Sequence, residues 1–203
     1  MLEFEKIKQF YRLSKDLSLK EIQYFFQNAQ KKTYPKGSTL VQIDDTQKVV
    51  YFIIKGLIRV FTLKENGDDV TFGLLSEYSI YTNVDIVIFN QPSRYSVQAV
   101  EHTEVFCIEY DALMELLDNH PKLQRHRERI FQATLRRLLV RLETLVLLTP
   151  EERYIEFIKN NYDLSNRVPD KYIANYLGIT PVSLSRIRRR IAEKKRSQNN
   201  PSS

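Results

Sequence analysis

DKYIANYLGITPVSLSRIRR, residues 170–189, decides the C-terminal half of the fold. Gly178 has no Cβ, so it can take the left-handed conformation that a sharp turn between two helices requires. Ala174, four residues earlier, is small enough for a second helix to cross close by. Ile173, Leu177, Ile179, Leu184 and Ile187 are the apolar positions that would hold the two helices together. Thr180 and Pro181 supply a cap and a proline at the first helical position of the second helix. The pattern predicts a helix-turn-helix.

Charge gives that unit a use. From residue 167 to 203 there are nine basic side chains against Asp170 and Glu193. Thr180, Val182, Ser183, Ser185, Arg186, Arg188, Arg189 and Arg190 are the candidate DNA-binding residues. Ser183, Ser185 and Arg186 can face base edges or phosphates, and the remaining cations supply salt-dependent phosphate attraction. The blander alternative is a helical hairpin with a solvated basic face. The expected partner is double-stranded DNA.

Working towards the N-terminus, Thr149-Pro150-Glu151-Glu152 opens a helix by the capping-box rule, with Tyr154, Ile155, Phe157 and Ile158 as its apolar face. The segment 163–169 reads as a break. Before that, residues 110–148 read as helix, broken or bent near Pro121. Phe131, Leu135, Leu138, Leu142 and Leu145 are spaced four and three apart in alternation, an apolar seam. Two heptads also fit a helix packed on its own domain; a homodimer through this helix is the reading adopted.

Residues 32–109 have another texture, short β segments separated by turn residues. The segments 49–54 and 57–63 are joined tightly at Lys55-Gly56, and Asn66-Gly67 marks a hairpin with an expected type I′ turn. Seven or so short strands suggest a closed or sandwich-like β architecture. The first 31 residues read as helix, with Ser18 and Glu21 at capping-box spacing ahead of Ile22, Phe25, Phe26 and Ala29. The tail 197–203 reads as disordered. The fold class is therefore α+β: a jelly-roll-like β-roll with flanking helices over 1–119, a dimerisation helix over 120–148, and a helix-turn-helix domain with a basic tail over 149–203.

The composition agrees. The chain has 203 residues and a net charge of +6, but residues 1–119 hold 13 basic and 17 acidic side chains whereas 120–203 hold 18 and 8. Such segregation suggests an acidic or neutral module joined to one that meets a polyanion. The longest apolar run, 49–54, is far short of the ~20 residues a membrane span needs. The N-terminus has no signal-peptide pattern, and a cytoplasmic location without membrane contact is expected. One cysteine, Cys107, excludes internal disulfides and a cysteine-rich zinc or iron–sulfur site. His102, His120 and His126 are scattered, so no metal site is expected.

In order along the chain, YPKGSTL (34–40), YFIIKGLIRVF (51–61), ENGDDVTFGLL (65–75) and YSVQAVEHTEVFCIE (95–109), followed by the long helix and the helix-turn-helix, resemble the Crp/Fnr superfamily of bacterial transcription regulators. The resemblance implies a cyclic-nucleotide-binding-like β-roll and a homodimer reading a palindromic operator, with RNA polymerase a candidate further partner. Members of that family that bind cyclic AMP carry a Gly-Glu pair and then Pro-Arg-Ser/Thr-Ala, whose Arg neutralises the cyclic phosphate. Here Ser93 stands where that Arg belongs, with Arg94 one residue out of register, and 77–82 lacks the Gly-Glu pair. A one-residue slip on a strand turns a side chain to the other face, so cyclic AMP is not expected and the effector stays unknown. Tyr78, Tyr81, Arg94 and Tyr95 are the candidate effector-pocket residues.

The recognition helix departs too, since Pro181-Val182 stands where members reading TGTGA-type half-sites place Arg-Glu. Arg186 matches their second arginine, and a different half-site is expected. The family's β-wing is either absent or replaced by the basic tail. Two other classes compete: a ligand-binding roll whose basic half docks to a protein, and a metal-dependent jelly-roll enzyme. No set of nucleophile, base and orienting acid is recognisable, so no enzyme and no cofactor are expected.

Overall fold

The computed structural model describes residues 20, 23, 27–118 and 121–199. The expected N-terminal cap at Ser18 and Glu21, with Ile22, Phe25 and Phe26 behind it, lies outside the described residues, as does His120. The chain divides into two compact units, 1–62 with 73–136, and 63–72 with 137–203.

Eight strands form two four-stranded sheets. Strands β1 (Gln30–Tyr34), β8 (Thr103–Glu109), β3 (Val49–Lys55) and β6 (Ile80–Thr82) form one sheet in that spatial order. The other runs β2 (Thr39–Val41), β7 (Ser96–Ala99), β4 (Ile58–Leu63) and β5 (Asp69–Leu75). Both inner faces are apolar: Val41, Tyr51, Ile53, Ile58, Val60, Val97, Val105 and Cys107 make one buried cluster, with Tyr34, Tyr81 and Tyr95 packed against it. This is the jelly-roll-like arrangement that short, turn-punctuated strands imply.

Gly56 is where the chain leaves the first sheet for the second. Its φ is +98°, and a Cβ there would lie 2.6 Å from the His102 carbonyl oxygen, so only glycine fits. The hairpin expected at Asn66-Gly67 forms between β4 and β5, but its turn is not type I′. Only Gly67 has positive φ, while Lys64 N–H donates to the Asp68 carbonyl at 2.9 Å. That closes a three-residue loop, with Asn66 Oδ1 accepting from Asp68 N–H at 3.1 Å.

Between β6 and β7 lies a one-turn helix, α1 (Val84–Val87). After β8 come α2 (Tyr110–Asp118) and α3 (Pro121–Leu147); the break or bend expected near Pro121 adjoins residues 119 and 120, outside the described residues.

The second unit holds α4 (Pro150–Asn160), α5 (Tyr162–Arg167), α6 (Asp170–Leu177) and α7 (Pro181–Asn199). Thr149 caps α4 with the expected box: Glu152 N–H donates to Thr149 Oγ1 at 3.4 Å, and Thr149 N–H donates to Glu152 Oε2 at 2.8 Å. The stretch read as a break is helical over α5. Leu164 buries itself there, and Arg167 pairs with Asp163 one turn away at 2.5 Å. The tail differs as well. Helix α7 runs on to Asn199 rather than ending before 197, and no strand follows it among the described residues.

Candidate nucleic-acid interface and effector cassette

The helix-turn-helix is closed by three devices that the sequence predicts. Gly178 is left-handed at φ 68°, with its N–H on the Asn175 carbonyl at 2.9 Å and the Ile179 N–H on Ala174 at 3.0 Å. This double bond satisfies the last carbonyls of α6. Thr180 Oγ1 accepts from Ser183 N–H at 3.1 Å, capping α7. Ile173, Ala174, Leu177, Leu184 and Ile187 are all buried, with Ile179 half-buried between them.

That packing divides the predicted DNA-binding residues into two groups. Val182, Ser185, Arg186 and Arg189 are exposed, as is Thr180. Arg186 makes no ion pair among the described residues, and Arg189 has only a loose contact with Glu193 at 3.8 Å. The other group is held within the unit. Ser183 sits 2.9 Å from Thr180 Oγ1. Arg188 donates to the Tyr154 hydroxyl at 3.1 Å and to Asp170 at 2.7 Å, so its guanidinium is aimed at α4 and α6. Arg190 and Lys194 both reach Glu151 at the start of α4, at 3.2 and 2.8 Å. The Lys194 ammonium, with Arg190 beside it, holds the Glu151 carboxyl below the usual carboxylate range. Sequence reasoning missed the two anchoring carboxylates, Glu151 and Asp170. They are 39 and 18 residues from their arginines, beyond any helical spacing rule.

The predicted dimer seam is on the surface. Phe131, Leu138 and Leu142 are about 60% exposed, and Leu135 and Leu145 are partly so. Leu139, Val140, Val146 and Leu147 extend the exposed apolar surface, more than a solvated helix normally carries.

Of the four predicted pocket residues, Arg94 and Tyr95 are in contact, the guanidinium carbon lying 5.2 Å from the Tyr95 ring centroid. Arg94 lines a shallow depression with Ile43, Asp44, Thr62, Phe89 and Gln91. Tyr81 and Tyr95 instead pack on the core of the roll, and Tyr81 faces Tyr51 with ring centroids 6.3 Å apart. Burial pushes the phenols of both Tyr51 and Tyr81 far above the usual tyrosine range. Tyr78 stands exposed at a turn with φ 67°.

The segment 83–95 is instead tied to itself. Asn83 caps α1, its side-chain oxygen accepting from Asp85 N–H at 3.0 Å, while its amide nitrogen donates to Ser93 Oγ at 2.5 Å. Ser93, the residue standing where cyclic-AMP binders carry arginine, is 1% exposed and donates to the Tyr95 carbonyl at 2.6 Å. Arg94 spends its guanidinium on the buried Asp85, with Nη2–Oδ1 at 2.8 Å and Nε–Oδ2 at 3.0 Å. Those hydrogen bonds hold the Asp85 carboxyl below its usual range. Asn83 and Asp85 were not singled out from sequence. An Asn followed two residues later by Asp is, however, a helix-start signal that could have found them.

Cys107 is buried, and its thiol lies 3.3 Å from the Gln30 carbonyl. Burial pushes the thiol's pKa up. No group of three or more metal-ligating side chains occurs among the described residues, and none of their helices is long and apolar enough to cross a membrane.

Comparison with known proteins fits these observations. Residues 31–120 match the cyclic nucleotide-binding domain family. The fumarate and nitrate reduction regulatory protein of Escherichia coli K12 is 29% identical in an alignment that covers 78% of this chain and 67% of that one. Among solved structures, FixK2 of Bradyrhizobium japonicum superposes with a TM-score of 0.69 at 18% identity, covering 82% of this chain and 86% of its own. The catabolite activator protein of Thermus thermophilus gives 0.54 at 20%, covering 90% and 87%. Residues 31–120 therefore form a cyclic nucleotide-binding domain, and the matches together support a transcription regulator of Crp/Fnr type. Its order of β-roll, long helix and helix-turn-helix is the one the sequence resemblance implied.

Proposed function

We propose that this Crp/Fnr chain acts in the cytoplasm as a homodimer, placing α7 in the major groove of each half of a palindromic operator. Residues 1–119 would be the regulatory roll, 120–148 the dimer helix and 149–203 the DNA-binding domain. One observation carries this reading. The residues left exposed on α7 once its packing is satisfied, above all Ser185 and Arg186, are those suited to base edges and phosphates. The exposed seam from Phe131 to Leu145 supports a second copy of the chain as partner. RNA polymerase is a further partner on this reading.

The roll would act without cyclic AMP. Ser93 and Arg94 are both engaged within the cassette, and a cyclic phosphate buried without its cation is costly. A single buried thiol does not fit an iron–sulfur cluster either. No catalytic role is assigned.

The test is DNA binding by the full chain at moderate salt, comparing its own promoter region with random duplex. Preference for the promoter, in two half-sites about one helical turn (roughly 34–36 Å) apart, is expected. Equal affinity for both would overturn the reading and favour a protein partner for the basic half. Cyclic AMP at millimolar concentration is expected to leave both the affinity and the melting temperature unchanged.

A further inference from the structure

We propose that Val182 reads the C5-methyl group of a thymine in the major groove, an assignment that rests on the DNA-binding reading above. Counting roughly 100° per residue, Val182, Ser185, Arg186 and Arg189 fall within an arc of about 100° on α7, opposite the buried Leu184 and Ile187. Arg188 points back to Tyr154 and Asp170, and Arg190 and Lys194 flank the arc, pointing to Glu151.

The outward stripe therefore begins with an aliphatic side chain that is 60% exposed. Nothing in the fold accounts for a valine there. Its neighbour Ser183 is half-buried and engaged in the cap, and the apolar contacts of α7 are made by Leu184 and Ile187 on the opposite face.

In the major groove, a thymine methyl is the one apolar feature on any base-pair edge, and a small aliphatic side chain is its complement. Valine can neither accept from a cytosine amino group nor donate to a guanine. It can only gain by covering carbon. Ser185 and Arg186 supply the polar half of the same readout, Arg186 having the fork that matches guanine O6 and N7.

The spacing makes the assignment specific. Val182 and Arg186 are one turn apart, about 6 Å along the helix, and base pairs rise by about 3.4 Å. The thymine and the guanine should thus lie about two base pairs from each other in every half-site.

Sites selected by the full chain from a random duplex library provide the test. Each thymine of the selected site is replaced in turn by deoxyuridine, which removes only the methyl. At one position per half-site, about two base pairs from the guanine whose loss Arg186→Ala tolerates, affinity should fall about fourfold, the worth of roughly one buried methyl. Val182→Ala should bind the thymine and deoxyuridine sites equally, and Val182→Thr, which keeps one methyl, should retain part of the difference. If deoxyuridine is silent at every position, or if Val182→Ala senses it as strongly as the parent chain, the assignment fails. A chain that selects no sequence at all overturns the DNA-binding reading itself, so the two failures are told apart.

Discussion

Arg94 and Arg186 are both exposed arginines beside a short polar stretch, and the molecule uses them in opposite ways. Arg94 closes a bidentate pair on a buried aspartate, within a cassette whose asparagine and serine are also hydrogen-bonded to each other. Arg186 stands on a helix where Ser183 and Arg188 are engaged within the unit, and it makes no ion pair among the described residues. Exposure alone does not mark a binding residue. What matters is whether the side chain's hydrogen-bonding capacity is already used, and in this protein the cassette is closed where the recognition helix is open.

The contrast can be broken in four ways. The largest effect should come from the seam, because the recognition helix is useful only in pairs. Leu138→Glu with Leu142→Glu is expected to give a monomer by sedimentation and to weaken operator binding by about 10²-fold or more, as the second half-site no longer benefits from linkage. Retained dimers would remove the seam from the account.

Next, Arg186→Ala should cost about 1–3 kcal/mol on the preferred site, with little change on random DNA. A uniform loss on all sequences would make it a phosphate contact instead.

On the closed side, Arg94→Ala should lower the urea midpoint of unfolding, because the buried Asp85 would be left without its partner. DNA affinity should be unchanged. The pH dependence follows in sign. Asp85 has a folded-state pKa below its unfolded value, so the pair stabilises fully above the unfolded carboxylate range, and the contribution is lost as pH falls through the folded value. Unfolding midpoints of the parent and Arg94→Ala should therefore converge in acid.

The smallest effect is expected at Glu151→Gln. Freeing Arg190 and Lys194 should raise affinity for random duplex about twofold and steepen the salt dependence by up to about one unit per cation released. An unchanged slope would mean that neither cation reaches a phosphate.

Much of this was legible in the sequence, and for local reasons. Gly178, Thr149 with Glu152, and Thr180 with Pro181 act through neighbours within four residues, so spacing alone exposes them. The sheet arrangement was legible only as a class, because which strand joins which sheet depends on pairings such as Val50 with Ile108, 58 residues apart. The site was read in part. The exposed face of α7 followed from helical periodicity. Nothing local reveals, however, that Tyr81 and Tyr95 pack on the core while Arg94 meets Asp85. The break expected at 163–169 failed for a similar reason: Leu164 has a buried place to go, and that outweighs weak helix-forming composition.

The buried Cys107 has a practical consequence. It is the chain's single thiol, it is enclosed between the sheets, and burial disfavours its thiolate. The natural protein should therefore behave towards maleimides and methanethiosulfonates almost as though it had no cysteine. One cysteine introduced on the outer stripe of α7, or two on the seam, can then carry a fluorophore or spin label without first rebuilding the roll, and distances between labelled subunits become directly measurable.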